Sequence, residues 1–570
     1  MRGAPLAVPE GTLVDSLAVA AGGRLGVTFV GPDEHERFVG WAEVLDRARR
    51  AAAAYARMGV RPGDRVALVL HGGPAYLDAF FGAWLAAAVP APLPPPSQLG
   101  HLDSYLEALE RMLRASGACL LVSSGTTLQL IGRVVHRVRP RLGCRAAAEL
   151  GEIPARIQRP VEPGGVGLIQ FAWGPTAAPR PMAFTHRALV AQVAARAASL
   201  GLSGEDVVAS WLSLTHDSGL VGCLLTALDR SLALVLVASR AMAARPSLGL
   251  RAVARHRATV VVGPDSMYGR AAGAPEAELT RCSLASLRLA VTRHEPGGAE
   301  ALRRFAARFA PLGFDPDGLV PTWGLAEPAV TVATGARGGG LAPLRVDAAR
   351  LARDGVVVPG ERQLVSVGRP VPGVDVDVRD EAGRPLPGGR PGRLWLRAPA
   401  LLEGTEAIGP HGWLDTGEVG FTHDGALYLH GRRDELVSVH GAQHAPDEFE
   451  LPLAGLAGLG ATVALTLPPP RSRDGALLVL AERAEGGHVE RLEATVRRTL
   501  LERTGVAPHT VALLPPGALP RTGSGRLRRG EALRRWLAGT LAPPRGVNPL
   551  RLAVDAARSQ LAFARLRLGG

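Results

Sequence analysis

The chain has 570 residues, 47% of them hydrophobic and 21% charged, with a formal net charge of +13. That balance excludes a disordered chain and supplies enough apolar residues for a large core in more than one domain. All 65 basic residues are arginine, so chemistry that needs a lysine amine is excluded.

Near the N-terminus, MRGAPLAVPEGTLVDSL lacks the apolar core of a signal peptide. WAEVLDRARRAAAAYARMG (41–59) has helical period and stops at Gly59. RVALVLHGG (65–73) reads as a buried strand followed by a helix around 78–88. The most apolar run, AYLDAFFGAWLAAAVPAPLP (75–94), meets prolines too soon for a membrane span. It predicts a buried helix, and no transmembrane segment is expected. PAPLPPPSQ (90–98) reads as a rigid connection. ACLLVSS (118–124), GLIQFA (167–172), ALVLVAS (233–239) and ATVVVGP (258–264) are further strands set between helical patterns. That alternation predicts an α/β fold with parallel strands.

After about Leu364 the texture turns β-rich, with glycine and proline punctuation. A smaller region begins near GRRDELVSVHG (431–441), with strands ATVALTL and ALLVLAE and a helix in HVERLEATVRRTLLERTG. The expected organisation is a large N-terminal domain of α/β sheets with a β-rich subdomain (1–432), a small mobile C-terminal α+β domain (433–540) and a basic amphipathic tail (541–570). From Arg521 onward, 11 arginines face only Glu531 and Asp555, which invites an acidic partner. No nucleic-acid-binding motif accompanies the charge, so nucleic acid is not expected as a partner. Cys119, Cys144, Cys223 and Cys282 form no metal spacing. They read as reduced thiols in a cytoplasmic protein.

LIQFAWGPTAAPRPMAFTHR (168–187) has the strand–loop–helix frame of a phosphate cradle. Such a loop needs backbone N–H groups, yet Pro175, Pro179 and Pro181 each remove one, and Trp173 adds bulk. Further on come WLSLTHDSGLVG (211–222), TRHEP (292–296), PTWGLAEPAV (321–330), GWLDTGEVGFTHDGALYLHGRRDEL (412–436) and LPRTGSGRLRR (519–529). In order and spacing these segments resemble the motifs of the adenylate-forming, AMP-binding superfamily. The chain most resembles its fatty acyl-AMP ligases, from about Thr12 to about Leu541.

The resemblance implies ATP- and Mg²⁺-dependent conversion of a fatty acid to acyl-adenylate, then transfer to an acyl carrier protein in lipid, polyketide or lipopeptide biosynthesis. By position, Gly174, Thr176 and Arg180 would meet phosphate, and His216 would sit at the acyl carboxylate. Trp323, in place of a tyrosine, would stack on adenine beside Gly324, and Glu327 would hold Mg²⁺. Glu418 and Arg432 would hold the ribose, and Asp434 falls at the hinge. Arg526 stands where the family has its catalytic lysine. VDAARLARDGVVVPGERQLVSVGRP (346–370) resembles the insertion that turns such ligases away from free coenzyme A. Several positions depart from the pattern: the loop, Arg293 for a glycine, Glu418 for an aspartate, and Arg526. They imply weakened activity. The alternative they raise is a catalytically inactive module that binds acyl group, adenylate or carrier protein.

Overall fold

Short β-branched runs line up side by side and are buried on both faces. The computed structural model describes residues 1–96, 102–173, 179–280, 282–294, 297–327, 331–398, 412–467, 475–484, 489–521 and 527–543; the side chains of residues 172, 173, 243, 489 and 490 lie outside that description. Gly26–Val30, Ala233–Val237, Val207–Ser210, Val260–Pro264, Leu289–Arg293 and Leu319–Trp323 are adjacent and all parallel. Val260, Val291 and Val320 are at most 1% exposed, as strands covered by helices on both faces must be. The sheet continues through antiparallel strands, among them Arg362–Pro370, Ala426–Arg432, Leu414–His423, Gly392–Arg397 and Asp375–Arg379. The β-rich segment is thus an extension of the same sheet. Val89–Pro92, Arg65–Val69, Leu120–Ser123 and Cys144–Ala146 form a second, parallel sheet. The α/β class read from the sequence is the one found.

Two local readings change. PAPLPPPSQ is not all connection, because Val89–Pro92 is an edge strand. Val89 and Leu93 donate to Asp64 O and Leu68 O at 2.8 Å, which leaves Pro90 and Pro92 on the open side, where no N–H is needed. GLIQFA does not join the parallel sheet either. Val166–Trp173 pairs antiparallel with Pro179–Thr185, so the loop returns as a strand before the helix His186–Leu200 begins. A two-stranded hairpin tolerates Pro179 and Pro181 as a central strand would not.

The helix Pro74–Leu85 is buried as expected, with Tyr76, Phe80, Phe81 and Trp84 at most 1% exposed. Its one carboxylate, Asp78, is held by Arg47 at 2.6 Å. Among the described residues no helix is long and apolar enough to cross a membrane. Toward the C-terminus, Leu459–Leu467, Ala476–Arg483 and Thr510–Leu514 form a separate three-stranded sheet. Its core includes Phe449, Val479, Val496 and Leu500. Arg362 of the large sheet reaches this part of the chain, with Asp447 at 2.8 Å and Glu448 at 2.7 Å. Glu448 also meets His444 Nδ1 at 2.8 Å. Burial works against the Arg362 charge, but the two carboxylates outweigh it and hold the guanidinium protonated.

Replacing Arg362 by methionine strands two buried carboxylates and costs on the order of 3–5 kcal/mol, read by urea unfolding. A second expectation concerns His186, 2% exposed, whose ring lies 5.2 Å from that of Trp84. Burial pushes its pKa down to about 4 from 6.5. The unfolded chain therefore takes up the proton first as pH falls. The stability from neutral His186 is complete above the unfolded value and is lost as pH drops toward the folded one. Between pH 7 and pH 5 the loss is roughly 2 kcal/mol. His186→Gln flattens that slope in unfolding curves taken across the range.

Candidate active site

Buried parallel strands leave their carboxyl ends as the place where polar groups gather. Leu289–Arg293 and Leu319–Trp323 run side by side and end in the TRHEP and PTWGLAE segments. Thr322 Oγ1 donates to Thr292 O at 2.9 Å and His294 N donates to Thr322 O at 2.8 Å, so the two strand ends are fixed to one another. Trp323 is 3% exposed and belongs to a core cluster with Leu325, Val332 and Val367. Stacking on a base requires the groups that cover its indole to move aside.

Arg293 neither obstructs this corner blindly nor folds out of it. Its Nη2 donates to Gly324 O at 2.8 Å, and its Nη1 reaches Asp217 Oδ1 and Oδ2 at 3.3 and 3.2 Å. The adenine segment and the histidine segment are thereby joined through one side chain. His216 precedes the short helix Asp217–Gly219, which runs into a π-helical turn, Leu220–Leu225; such turns cluster at functional sites. Gly219 is required there, because a Cβ would lie 2.2 Å from Ser213 O. Burial lowers the His216 pKa, the Asp217 charge raises it, and the Arg293 charge lowers it again. The net effect is a neutral imidazole.

Arg180, on the returning strand of the hairpin, meets Glu327 with Nη2 to Oε1 at 2.9 Å. Glu418 and Arg432 face each other across paired strands, with Arg432 Nη1 to Glu418 Oε1 at 3.5 Å. Arg432 Nε also donates to Asp434 Oδ1 at 3.0 Å. Burial disfavours the Arg432 charge, but Glu418 and Asp434 outweigh it. Gly174, Thr176 and Arg526 lie outside the described residues, as do Glu295 and the Trp173 side chain. Glu327 offers a single hard carboxylate, and among the described residues no group of three or more His, Cys, Asp or Glu could cage a metal ion. This donor set fits Mg²⁺ that arrives with phosphate oxygens and takes one carboxylate from the protein.

The structure adds groups that sequence reading passed over. His294, 5% exposed, places Nδ1 2.7 Å from Asp265 Oδ2, and Thr292 Oγ1 donates to the other oxygen of Asp265. This buried pair ties the end of the strand Leu289–Arg293 to the helix Asp265–Ala271. Arg196, 3% exposed, donates to Gly222 O at 3.0 Å and Thr331 Oγ1 at 2.9 Å. A usable signal was present for it: Gln192 and Arg196 are polar positions one turn apart in a helix otherwise rich in alanine and valine. Nothing in the local sequence around Asp265 marked it as a partner for His294.

Residues 19–404 match the AMP-binding enzyme family. A Caulobacter vibrioides protein provisionally named acyl-CoA synthetase is 29% identical over 553 residues, covering 93% of this chain and 96% of that one. The medium-chain-fatty-acid–[acyl-carrier-protein] ligase JamA of Moorena producens is 25% identical over 541 residues, covering 87% of this chain and 90% of that one. A solved structure from work on fatty acyl-adenylate ligases of E. coli and L. pneumophila superimposes with a TM-score of 0.88 at 28% identity. It covers 94% of this chain and 99% of that chain. The strand-end corner that holds His216, Arg293 and Glu327 therefore sits within an architecture shared almost end to end, and the chain belongs to the AMP-binding enzyme family.

Proposed function

We propose that the chain is a fatty acyl-AMP ligase. A carboxylate oxygen of a fatty acid attacks the α-phosphorus of ATP, the bond to pyrophosphate breaks, and acyl-adenylate forms. The phosphopantetheine thiol of an acyl carrier protein then attacks the acyl carbon and AMP leaves. The observation that carries this reading is the Arg180–Glu327 pair at 2.9 Å. It joins the hairpin Val166–Thr185 to the segment after Trp323, a juxtaposition that supports a nucleoside triphosphate site between them. Relatives of similar length whose names specify acid–carrier or acyl-adenylate ligation support the same reading.

In this assignment Glu327 would hold Mg²⁺, which when bound neutralises charge on the phosphates. Arg180 exchanges Glu327 for a phosphate oxygen, beside Gly174 and Thr176. Glu418, steadied by Arg432, accepts from the ribose hydroxyls. Trp323 and Gly324 flank the base, and neutral His216 lies at the acid carboxylate. Arg526 brings a planar charged fork where relatives bring the compact ammonium of lysine. Asp434, tied to Arg432, marks the start of a small C-terminal domain. For the acceptor, the 346–370 segment supplies Arg362, whose pairing with Asp447 and Glu448 anchors the C-terminal part of the chain. That anchoring suits a carrier protein rather than free coenzyme A as acceptor. A non-catalytic binding role draws on the altered loop, Arg293, Glu418 and Arg526, and it has less behind it because relatives matched over most of their length carry ligase names.

The test is acyl-AMP formation by the purified chain with ATP, Mg²⁺ and medium- and long-chain fatty acids, read by mass spectrometry beside an active relative. Acyl-AMP above background is the expected result; none, with the control active and the protein folded, points to the binding role. Glu327→Gln is expected to lower the rate on the order of 100-fold without moving the unfolding midpoint. Arg526→Lys alone is expected to stay below full activity, because Trp173, Pro175 and Pro181 still impair the loop. Full activity in that single variant would show that the loop is competent as it stands.

A further inference from the structure

The segment that carries Arg526 leaves and rejoins the C-terminal part of the chain at one closed base. Arg521 and Leu527 pair as an antiparallel bridge, and Arg528 N donates to Pro520 O at 2.8 Å. Leu519 and Leu527 pack in one core with Leu478, Leu480 and Ala532. Residues 522–526 lie outside the described residues, but both sides of the base are gripped by carboxylates. On the entry side Glu482, 7% exposed, accepts from Leu519 N at 2.8 Å, and its other oxygen lies 3.8 Å from Arg521 Nη2. On the exit side Arg529 donates from Nη2 and Nε to the two oxygens of Glu450 at 2.7 and 3.1 Å, and from Nη1 to Glu435 Oε2 at 3.2 Å. Ala464 N in turn donates to Glu450 Oε1 at 3.0 Å. Glu435 follows directly on Asp434, and its own N–H donates to Arg432 O at 3.0 Å.

The helix Arg529–Leu537 begins with Arg528 at its cap and Arg529 at its first position. The helix dipole disfavours positive charge there, and a hydroxyl or acidic residue would cap better. A rule broken locally and offset by three distant bonds marks a residue that serves more than its own helix. We propose that Arg529 is a positioning residue for Arg526. It ties the exit of the segment to Glu450, and to Glu435 beside the Arg432–Asp434 pair, and so fixes where Arg526, three positions earlier, presents its charge. Glu482 does the same for the entry. The inference rests on the ligase reading above, in which Arg526 stands for the family's lysine. A planar fork bonded at three nitrogens sets direction as well as distance; a lysine in its place could hold a carboxylate as a point charge but not the pair at fixed geometry.

The test uses Arg529→Lys, which keeps the charge and loses the fork, in the full chain. Its kcat for acyl-AMP formation is expected to fall on the order of 10- to 100-fold, while the KM for acid and the KM for ATP each stay within about two-fold. A double-mutant cycle with Arg526→Ala separates positioning from mere cohesion. If Arg529 works through Arg526, adding Arg529→Lys to Arg526→Ala lowers the rate by no more than about two-fold further. Losses that multiply overturn the proposal, as does full activity in Arg529→Lys. Hydrogen exchange of the 519–531 peptide needs no activity, and it decides where Arg526→Ala leaves no measurable rate. Faster exchange there in Arg529→Lys, with the strand Leu459–Leu467 unchanged, is the expected result. Unchanged exchange at 519–531 overturns the proposal whatever the rates. A chain that makes no acyl-AMP yet shows this local change removes the ligase reading and leaves Arg529 as the anchor of the segment.

Discussion

Six adjacent parallel strands, buried on both faces, place a strict constraint on this chain: nothing polar can happen along them, only at their ends. The carboxyl ends of Leu289–Arg293 and Leu319–Trp323 are locked together by Thr292, Thr322 and His294. The buried Asp265–His294 pair braces the first of these strand ends from behind. Each of these bonds answers a buried polar group that would otherwise stand unsatisfied. Their combined effect is a rigid rim on which Arg293, Gly324 and Glu327 are carried, and against which the His216 segment is set by Arg293.

The fold was legible where periodicity alone decides. Trp41–Arg57, Pro74–Leu85 and the strands at 65, 120, 233 and 260 follow from their apolar spacing and their bounding glycines and prolines. Prolines misled in two places for one reason. At Val89–Pro92 and Pro179–Thr185 they lie in strands that run at an edge or in a two-stranded hairpin, where a missing N–H costs little. Linear sequence shows that a residue lacks a donor but not whether its neighbour wanted one. In the site, the resemblance assigned Arg180 and Glu327 to phosphate and Mg²⁺, and Glu418 and Arg432 to the ribose; the contacts within each pair come from the structure. The same reading could not show that Arg293 would bond across to Asp217, or that Arg196 and Asp265 would matter. Those contacts join residues tens of positions apart, through side chains whose direction no local pattern encodes.

The absence of lysine shapes how this site can work. An ammonium is a point charge that can wait in water and swing to its ligand. A guanidinium is a planar fork that gains most from fixed acceptors. The described arginines of the site accordingly come with partners in place: Arg180 with Glu327, Arg293 with Asp217 and Gly324, Arg432 with Glu418 and Asp434. Such pairing settles orientation before any ligand arrives, which lowers the ordering cost of binding. It also means that binding is an exchange of partners. The affinity gained is the difference between two charge-assisted contacts, not the full strength of one.

Exchange favours ligands that replace the resting partner in kind. Asp217 and Glu327 are both carboxylates, so an anionic ligand oxygen would take the place of either at its arginine with charge nearly conserved. A neutral ester or amide would leave the guanidinium no better placed than at rest and would still have to break the existing pair. Selection against such compounds would then follow from the contacts a ligand must displace.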